Sequence, residues 1–486
     1  MSGGSDRSRT EADLNSPTDE DAVGQHEPAR GGSEVSYREA FLVWCRIAAL
    51  SLGGPAGQIA VMHRILVDEK RWICESRFLH ALSYCMLLPG PEAQQLATYI
   101  GWLMHGTRGA LTAGILFVLP GYVCIMALSI LYAQYQGTLI VSAIFFGLKP
   151  AVMAVVVEAV LRIGKRVLRN RFLYTVAAVS FIMIFAFGVP FPVIIGLAAL
   201  TGFLADRFVP HWVTRTSDRN VKATASANES PTADSVAENR FAMRETPVPT
   251  WGRFVRVSAV CFSLWFGPLI AVWQLCGQDS IFLEEGLFFS RAAVVTFGGA
   301  YAVLAYIAQQ AVHRYQWLMP GEMMDGLGMA ETTPGPLIMV VQFVGFMGAF
   351  RNPEGLHPLM AAILGATLTT WVTFVPCFYW IFLGAPYIEK LRSSRALQAA
   401  MNCITAAVLG VVLNMAVWFS MHVLFSDIPS SGSGLAELLN LTPTSFQPAA
   451  AVIALVAILL MFVLHRGLAL TLSVCCVLGM LYRMVI

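Results

Sequence analysis

Two stretches decide the fold: SLGGPAGQIA at 51–60 and MLLPGPEAQQLA at 86–97. Both lie in apolar runs, and each carries a helix breaker inside its run, Gly53-Gly54-Pro55 in the first and Pro89-Gly90-Pro91 in the second. Proline lacks a backbone donor and clashes with the preceding turn, so Pro-Gly-Pro must interrupt a helix. The same signals return as TFGGAYAVLA at 296–305 and TTPGPLIMVVQ at 332–342. Shifted by 245 positions, the chain matches itself without a gap from Arg46 to Pro91. Arg46 falls on Arg291, Gly53-Gly54 on Gly298-Gly299, Trp72 on Trp317, Leu82 on Leu327, and Pro89-Gly90-Pro91 on Pro334-Gly335-Pro336. Further on, FVLP ending at Pro120 resembles TFVP ending at Pro376, after a small insertion. The chain is two copies of one module, a common build for transporters.

Around the breaks the chain is apolar. Hydrophobic residues make up 56% of its 486 and charged residues 13%, against about 25% charge in soluble proteins. Mean hydropathy is +0.64. Stretches such as 111–148 and 448–464 have almost no charge, and about 20 apolar residues suffice to cross a bilayer as a helix. The apolar runs are continuous and do not alternate, which disfavours a β-barrel. The expected fold is an all-α polytopic membrane protein. Its embedded segments read as 37–62, 78–105, 109–135, 139–161, 171–187 and 192–207, then 256–276, 286–311, 322–349, 358–383, 397–423, 448–464 and 466–485.

Residues 1–35 are polar and read as a disordered tail, with no h-region of a cleavable signal. The first repeat is 36–207. Residues 208–252 read as a flexible cytoplasmic linker, and 253–486 as the second repeat with one extra leading helix. The net charge of +2, in short basic clusters, disfavours nucleic acid as a partner. The ten cysteines are scattered without CxxC, and the nine histidines form no metal-binding pattern, so neither metal nor cofactor is expected. No GxxxxGK[ST] motif occurs, which argues against ATP-driven pumping.

Seven segments precede the second copy's first element, and an odd number inverts that copy. Basic loops agree, since Lys and Arg favour the cytoplasmic side. Loop 162–171 holds Arg162, Lys165, Arg166, Arg169 and Arg171, whereas its counterpart 424–447 has no Lys or Arg. Loop 136–138 is uncharged, and its counterpart 386–396 carries Lys390, Arg392 and Arg395. Loop 63–77 is also basic, with Arg64, Lys70, Arg71 and Arg77, and it falls inside only if each broken segment is a re-entrant hairpin. Re-entrant hairpins are therefore expected, with the amino terminus inside.

A broken helix in lipid is tolerated where protein or a water-filled cavity meets the freed backbone groups. The restarting helix offers free N–H groups and a positive dipole end to an anion. Gly53, Gly54, Pro89, Gly90, Pro91, Gly298, Gly299, Pro334, Gly335 and Pro336 are thus candidate anion-site residues, with simple packing kinks as the alternative. Arg46 and Arg291 are candidates as anion-pairing arginines at membrane depth, or as arginines snorkelling to the interface. Gln94 and Gln95 could donate to an oxyanion or merely pack between helices. Glu92 and Glu331 flank the two Pro-Gly-Pro motifs as candidate proton carriers, or as carboxylates capping helix ends. Lys149 and Glu158 read equally as a structural ion pair or as part of a pathway.

SLGGPAGQIAVMHRILVDEKRW at 51–72, MLLPGPEAQQLATYIGWLMHG at 86–106 and FVLPG at 117–121 resemble the chromate ion transporter family, in its long two-domain form. So do AVVTFGGAYAVLAYIAQQAV at 293–312 and ETTPGPLIMVVQFVGFMGAF at 331–350. The resemblance covers nearly all of 37–423. It implies a multi-pass protein of the cell inner (plasma) membrane that exports chromate from the cytoplasm on the proton gradient, as an antiporter conferring chromate resistance. The lipid bilayer and chromate are the partners implied, and a homodimer stays open. Sulfate, a dianion of the same shape, stays open as the cargo of an alternative oxyanion transporter. An intramembrane enzyme is a more distant alternative, without a visible nucleophile–base cluster.

Overall fold

The computed structural model describes residues 35–52, 54–208, 250–297, 300–319, 321–384, 395–426 and 434–485. The expected tail up to residue 34 and residues 209–249 of the linker lie outside these, as do Gly53, Gly298, Gly299, Lys390 and Arg392. Among the described residues the chain is helical throughout, with a single isolated bridge between Phe425 and Phe446.

The first copy begins with α1 (Tyr37–Leu50) and α2 (Gly54–His63), the latter running on into a π-helical turn at Arg64–Glu69. After α3 (Glu75–Cys85), α4 runs from Glu92 to Tyr135. At 1.5 Å per residue α1 is about 21 Å long, short of the roughly 30 Å hydrocarbon core. It folds back: Lys70 donates to Glu39 at 2.8 Å and Arg46 to Glu69 at 2.8 Å. The foot of α1 and the end of the π turn therefore lie together, with Leu52 and Gly54 at the apex. The 44 residues of α4 do not form one rod. The backbone reverses at His105 and Gly106, where Gly106 takes φ +60°. The arms on either side pack so tightly that a side chain on Gly101 or Gly109 would run into the other's backbone. His105 meets the carbonyl of Val35 at 2.8 Å, which brings the second hairpin to the same foot. Each broken segment of the first copy thus folds back on itself as a hairpin.

The copy continues with α5 (Leu139–Val167), α6 (Arg171–Phe185) and α7 (Phe191–Phe208). Asn170 caps α6 by accepting from Leu173 N at 2.8 Å, as short polar side chains do at helix starts. The unpaired leading helix is α8 (Trp251–Cys276). The second copy then repeats the pattern with α9 (Ile281–Val295), α10 (Ala300–Gln309), α11 (Glu322–Thr332) and α12 (Val340–Arg351). Helices α13 (Pro358–Gly384), α14 (Arg395–Leu424), α15 (Gly434–Leu439), α16 (Pro448–Ile458) and α17 (Leu468–Val485) complete it. Seven helices among the described residues are long and apolar enough to cross a membrane, and the four broken segments are built from shorter pieces.

The 245-residue register extends to local geometry. A second π turn, Gln310–Arg314, follows α10 as the first follows α2. Each is followed by a non-glycine residue in the left-handed region, Arg71 at φ 51° and Gln316 at φ 56°, and then by a buried tryptophan, Trp72 or Trp317. The feet of the second copy are tied by Arg351, which donates to the Trp317 carbonyl at 2.6 Å and to Glu322 at 2.7 Å. They lie at the far end of the second arm of α4 from the first copy's feet. Tyr132, near the end of α4, donates to Asp325 in the first turn of α11 at 2.9 Å. The hairpins of the two copies meet at their breaks, where Gly90 N reaches Thr296 O and Gly335 N reaches Ser51 O.

Candidate functional site

The site is built from four chain breaks. Helices α1 and α9 end on Ser51 and Thr296, both fully buried. Each hydroxyl folds back onto its own helix, Ser51 to Ile47 O at 2.6 Å and Thr296 to Ala292 O at 2.7 Å. Each residue's backbone carbonyl remains, and a helix end leaves such carbonyls without an intrahelical donor. In Pro-Gly-Pro the glycine holds the only N–H, because proline has none. Gly90 N donates to Thr296 O at 2.7 Å, and Gly335 N donates to Ser51 O at 3.0 Å. Each copy's Pro-Gly-Pro therefore closes the other copy's Gly-Gly break, and the two bonds are equivalent under the 245-residue register.

Reaching across requires glycine. Gly90 sits at φ +125° and Gly335 at φ +104°, where a Cβ is strained. Gly335 lies against Gly121 of α4, and a Cβ would stand 2.9 Å from its Cα. A Cβ on Gly90 would stand 2.9 Å from Cys377 Sγ. Gly121 and Cys377 follow Pro120 and Pro376, so this packing is also reciprocal. Gly54, at φ +73°, has open space except for the Tyr301 hydroxyl at 3.8 Å.

The surroundings are polar although buried. Gln58 Nε2 donates to Gly335 O at 2.5 Å, Gln95 Nε2 to Pro89 O at 2.7 Å, and Gln94 Nε2 to Thr98 Oγ1 at 3.0 Å. Of the two candidates for the oxyanion, the Gln95 amide nitrogen is thus engaged in holding the break and that of Gln94 bonds within its own helix. Gln342 Nε2 holds Tyr122 O at 3.0 Å, beside Gly121. After the breaks α4 starts at Glu92, and a 3₁₀ turn at Leu337–Met339 leads into α12. Their first N–H groups have no intrahelical acceptor.

Both candidate acids are close by. Glu331, in the last turn of α11, accepts from the Tyr301 hydroxyl at 2.6 Å. Its charged neighbours are Arg162 and Glu158 of α5, which pair with each other. The charged neighbour of Glu92 is Arg166, one turn beyond Arg162. Here the structure departs from the loop reading of 162–171: α5 continues to Val167, so Arg162 and Arg166 stand on a helix facing the two acids.

The arginines at matching positions are not brought to the breaks. Arg46 is 51% exposed and paired with Glu69, and Arg291 is exposed on α9. Lys149 and Glu158 do not pair with each other; Lys149 stands 3.4 Å from Asp325 and Glu158 pairs with Arg162. Sequence reasoning missed Ser51, Thr296, Gln58, Tyr301 and Asp325. Ser51 and Thr296 had a signal, since they align in the repeat register. Tyr301 and Asp325 align with Ala56 and His80 in that register, so the repeat gave no hint of them.

A family model described as chromate transporter matches residues 38–203 and 283–480. A chromate transport protein of Pseudomonas aeruginosa is 30% identical over 384 residues, 78% of this chain and 80% of its own length. One of Cupriavidus metallidurans is 27% identical over 400 residues, 82% of this chain and 85% of its own. No solved structure matches the chain.

Proposed function

The chain belongs to the chromate transporter family, and we propose that it exports chromate from the cytoplasm through the inner membrane, coupled to the proton gradient as an antiporter. The observation that carries this reading is the reciprocal closure of the breaks by Gly90 N and Gly335 N. It supports an anion site at the apices, where hairpins of the two copies meet, and an inverted relation between the copies. Discontinuous helices from inverted repeats, meeting near the midplane, are how transporters commonly build such sites.

A tetrahedral dianion is held there by backbone N–H groups of the restarting helices around Pro89-Gly90-Pro91 and Pro334-Gly335-Pro336. Glycine at 54 lets the chain approach closely. Arg162, which is paired with Glu158, and Arg166 are the basic neighbours of the two acids and add positive charge on that side of the site. Glu92 and Glu331 are the proton carriers of this scheme. An unpaired charge is costly to move through the bilayer centre, and a proton neutralises each acid once the dianion has left. Alternating access follows if one copy rocks against the other while the apices keep their place.

The test is uptake of labelled chromate into inverted vesicles of cells expressing the full chain, with and without an imposed proton gradient. Gradient-dependent uptake above that of control vesicles is expected. Uptake unaffected by collapsing the gradient removes the coupling. Uptake of sulfate in preference to chromate makes sulfate the cargo. Chromate resistance and residence in the inner membrane belong to the same proposal.

A further inference from the structure

The molecule has a second charged site, remote from the breaks. A cavity of about 320 Å³ is lined by Gln136, Ser142, Lys149, Asp325, Gln447 and Arg483, among others. Lys149 lies in the middle of α5, an otherwise apolar helix over much of its length, and an intramembrane lysine needs a partner. It stands 3.4 Å from Asp325 Oδ2, which also accepts from the Tyr132 hydroxyl. The two partners are placed differently: the Asp325 side chain is 4% exposed and that of Lys149 is 31% exposed. The acid is nearly buried at the cavity wall, and the ammonium is the more exposed of the two. Gly321 makes room for it, since a Cβ there would stand 3.1 Å from Lys149 Nζ.

Arg483, in the last turn of α17, reaches over the Phe146 ring, 5.2 Å from its centroid, on the wall of the same cavity. Asp325 is the one acid among the described lining residues, so two cations face one carboxylate. Gln136, Ser142 and Gln447 add neutral donors. At about 30 Å³ per water, the space holds roughly ten waters, enough for a small ion with part of its hydration shell.

We infer that this cavity is the release site for the transported tetrahedral dianion, with Lys149 alternating between Asp325 and the departing anion. This rests on the proposed transport function. Asp325 keeps Lys149 compensated while the site is empty and competes with the anion when it is filled. That competition makes binding weak, as release requires. Gln136 and Gln447 put the cavity mouth at the face of loops 136–138 and 424–447, the outer face in the topology read from the basic loops.

The experiment uses right-side-out vesicles carrying the full chain with Ser142→Cys, subtracting labelling of the wild-type chain. The rate of reaction with an anionic, membrane-impermeant methanethiosulfonate is compared with that of its cationic counterpart. The anionic reagent should react faster, and Arg483→Gln or Lys149→Gln should each cut the preference about fivefold, for one unit charge at close range. External inorganic sulfate should slow the reaction, and Asp325→Asn should lower the sulfate concentration needed. Gln447→Cys is the second reporter if Ser142→Cys does not yield folded protein. Equal rates for the two reagents, no protection by sulfate, or reaction from the cytoplasmic side alone would overturn the inference. Chromate transport is measured on the same vesicles. Its presence without a charge preference sinks the release site alone, and its absence in the wild-type chain sinks the transport reading.

Discussion

Adding one methyl at Gly335 should do far more damage than adding one at Gly54, although both glycines sit at breaks. At Gly335, φ is +104° and the new Cβ would lie 2.9 Å from Gly121 Cα and 3.2 Å from Gly121 N. Carbon atoms prefer about 3.5–4.0 Å, so two backbones must separate by roughly 0.5–1 Å. Left-handed strain costs about 1–2 kcal/mol and overpacking about 1–3 kcal/mol. The displaced Gly335 N also weakens its bond to Ser51 O, which contributes about 0.5–1.5 kcal/mol. At Gly54 only the strain applies, because the nearest atom is 3.8 Å away. The difference of about 1.5–4.5 kcal/mol corresponds to at least a tenfold effect on anything requiring closed apices. Gly121→Ala should resemble Gly335→Ala, and the double variant should fall short of the sum, since one displacement accommodates both methyls. The assay is chromate uptake into inverted vesicles, normalised to folded protein by gel filtration, beside thermal unfolding in detergent. Equal uptake and equal melting for Gly335→Ala and Gly54→Ala would refute the close cross-copy approach.

Arg46→Ala should change stability by no more than about 0.5–1 kcal/mol, because its pair with Glu69 is exposed; a loss of chromate uptake beyond tenfold in folded protein would return Arg46 to the anion path. A cysteine in place of Lys70, in a cysteine-free chain, should label from the cytoplasmic side, and labelling from outside would reject the orientation given to the first hairpins. Glu331→Gln keeps an acceptor for the Tyr301 hydroxyl, so the protein should fold while chromate uptake loses its dependence on the proton gradient. Retained gradient dependence in this variant would exclude Glu331 as a proton carrier.

The breaks were legible because Gly and Pro act on the backbone where they stand. The repeat register was legible for the same reason, and the structure follows it down to the π turns before Trp72 and Trp317. The sequence does not say whom a broken helix meets. That Gly90 N finds Thr296 O is a tertiary fact, since the partners come from different copies far apart along the chain. Lys149 does not pair with Glu158, for a local reason: Glu158 has Arg162 one turn away on its own helix, which leaves Lys149 to a carboxylate from the other copy. The reversal at His105–Gly106 contains no proline, so only the spacing of the apolar segments hinted at it.

The exchange of bonds between copies explains why this architecture needs two. Each Pro-Gly-Pro offers one N–H, and each Gly-Gly break leaves a carbonyl that its own helix cannot satisfy. In one copy alone both groups would lie unpaired in an apolar setting, at a cost of several kcal/mol per group. Brought together head to head, the copies satisfy both at once with the same geometry. The bonds are equivalent under one register, so a movement that shears one copy past the other strains both together. The two closures are therefore coupled through one interface. If the proposed anion site sits at this meeting point, coupled closures favour a discrete rearrangement of the packed apices over gradual deformation.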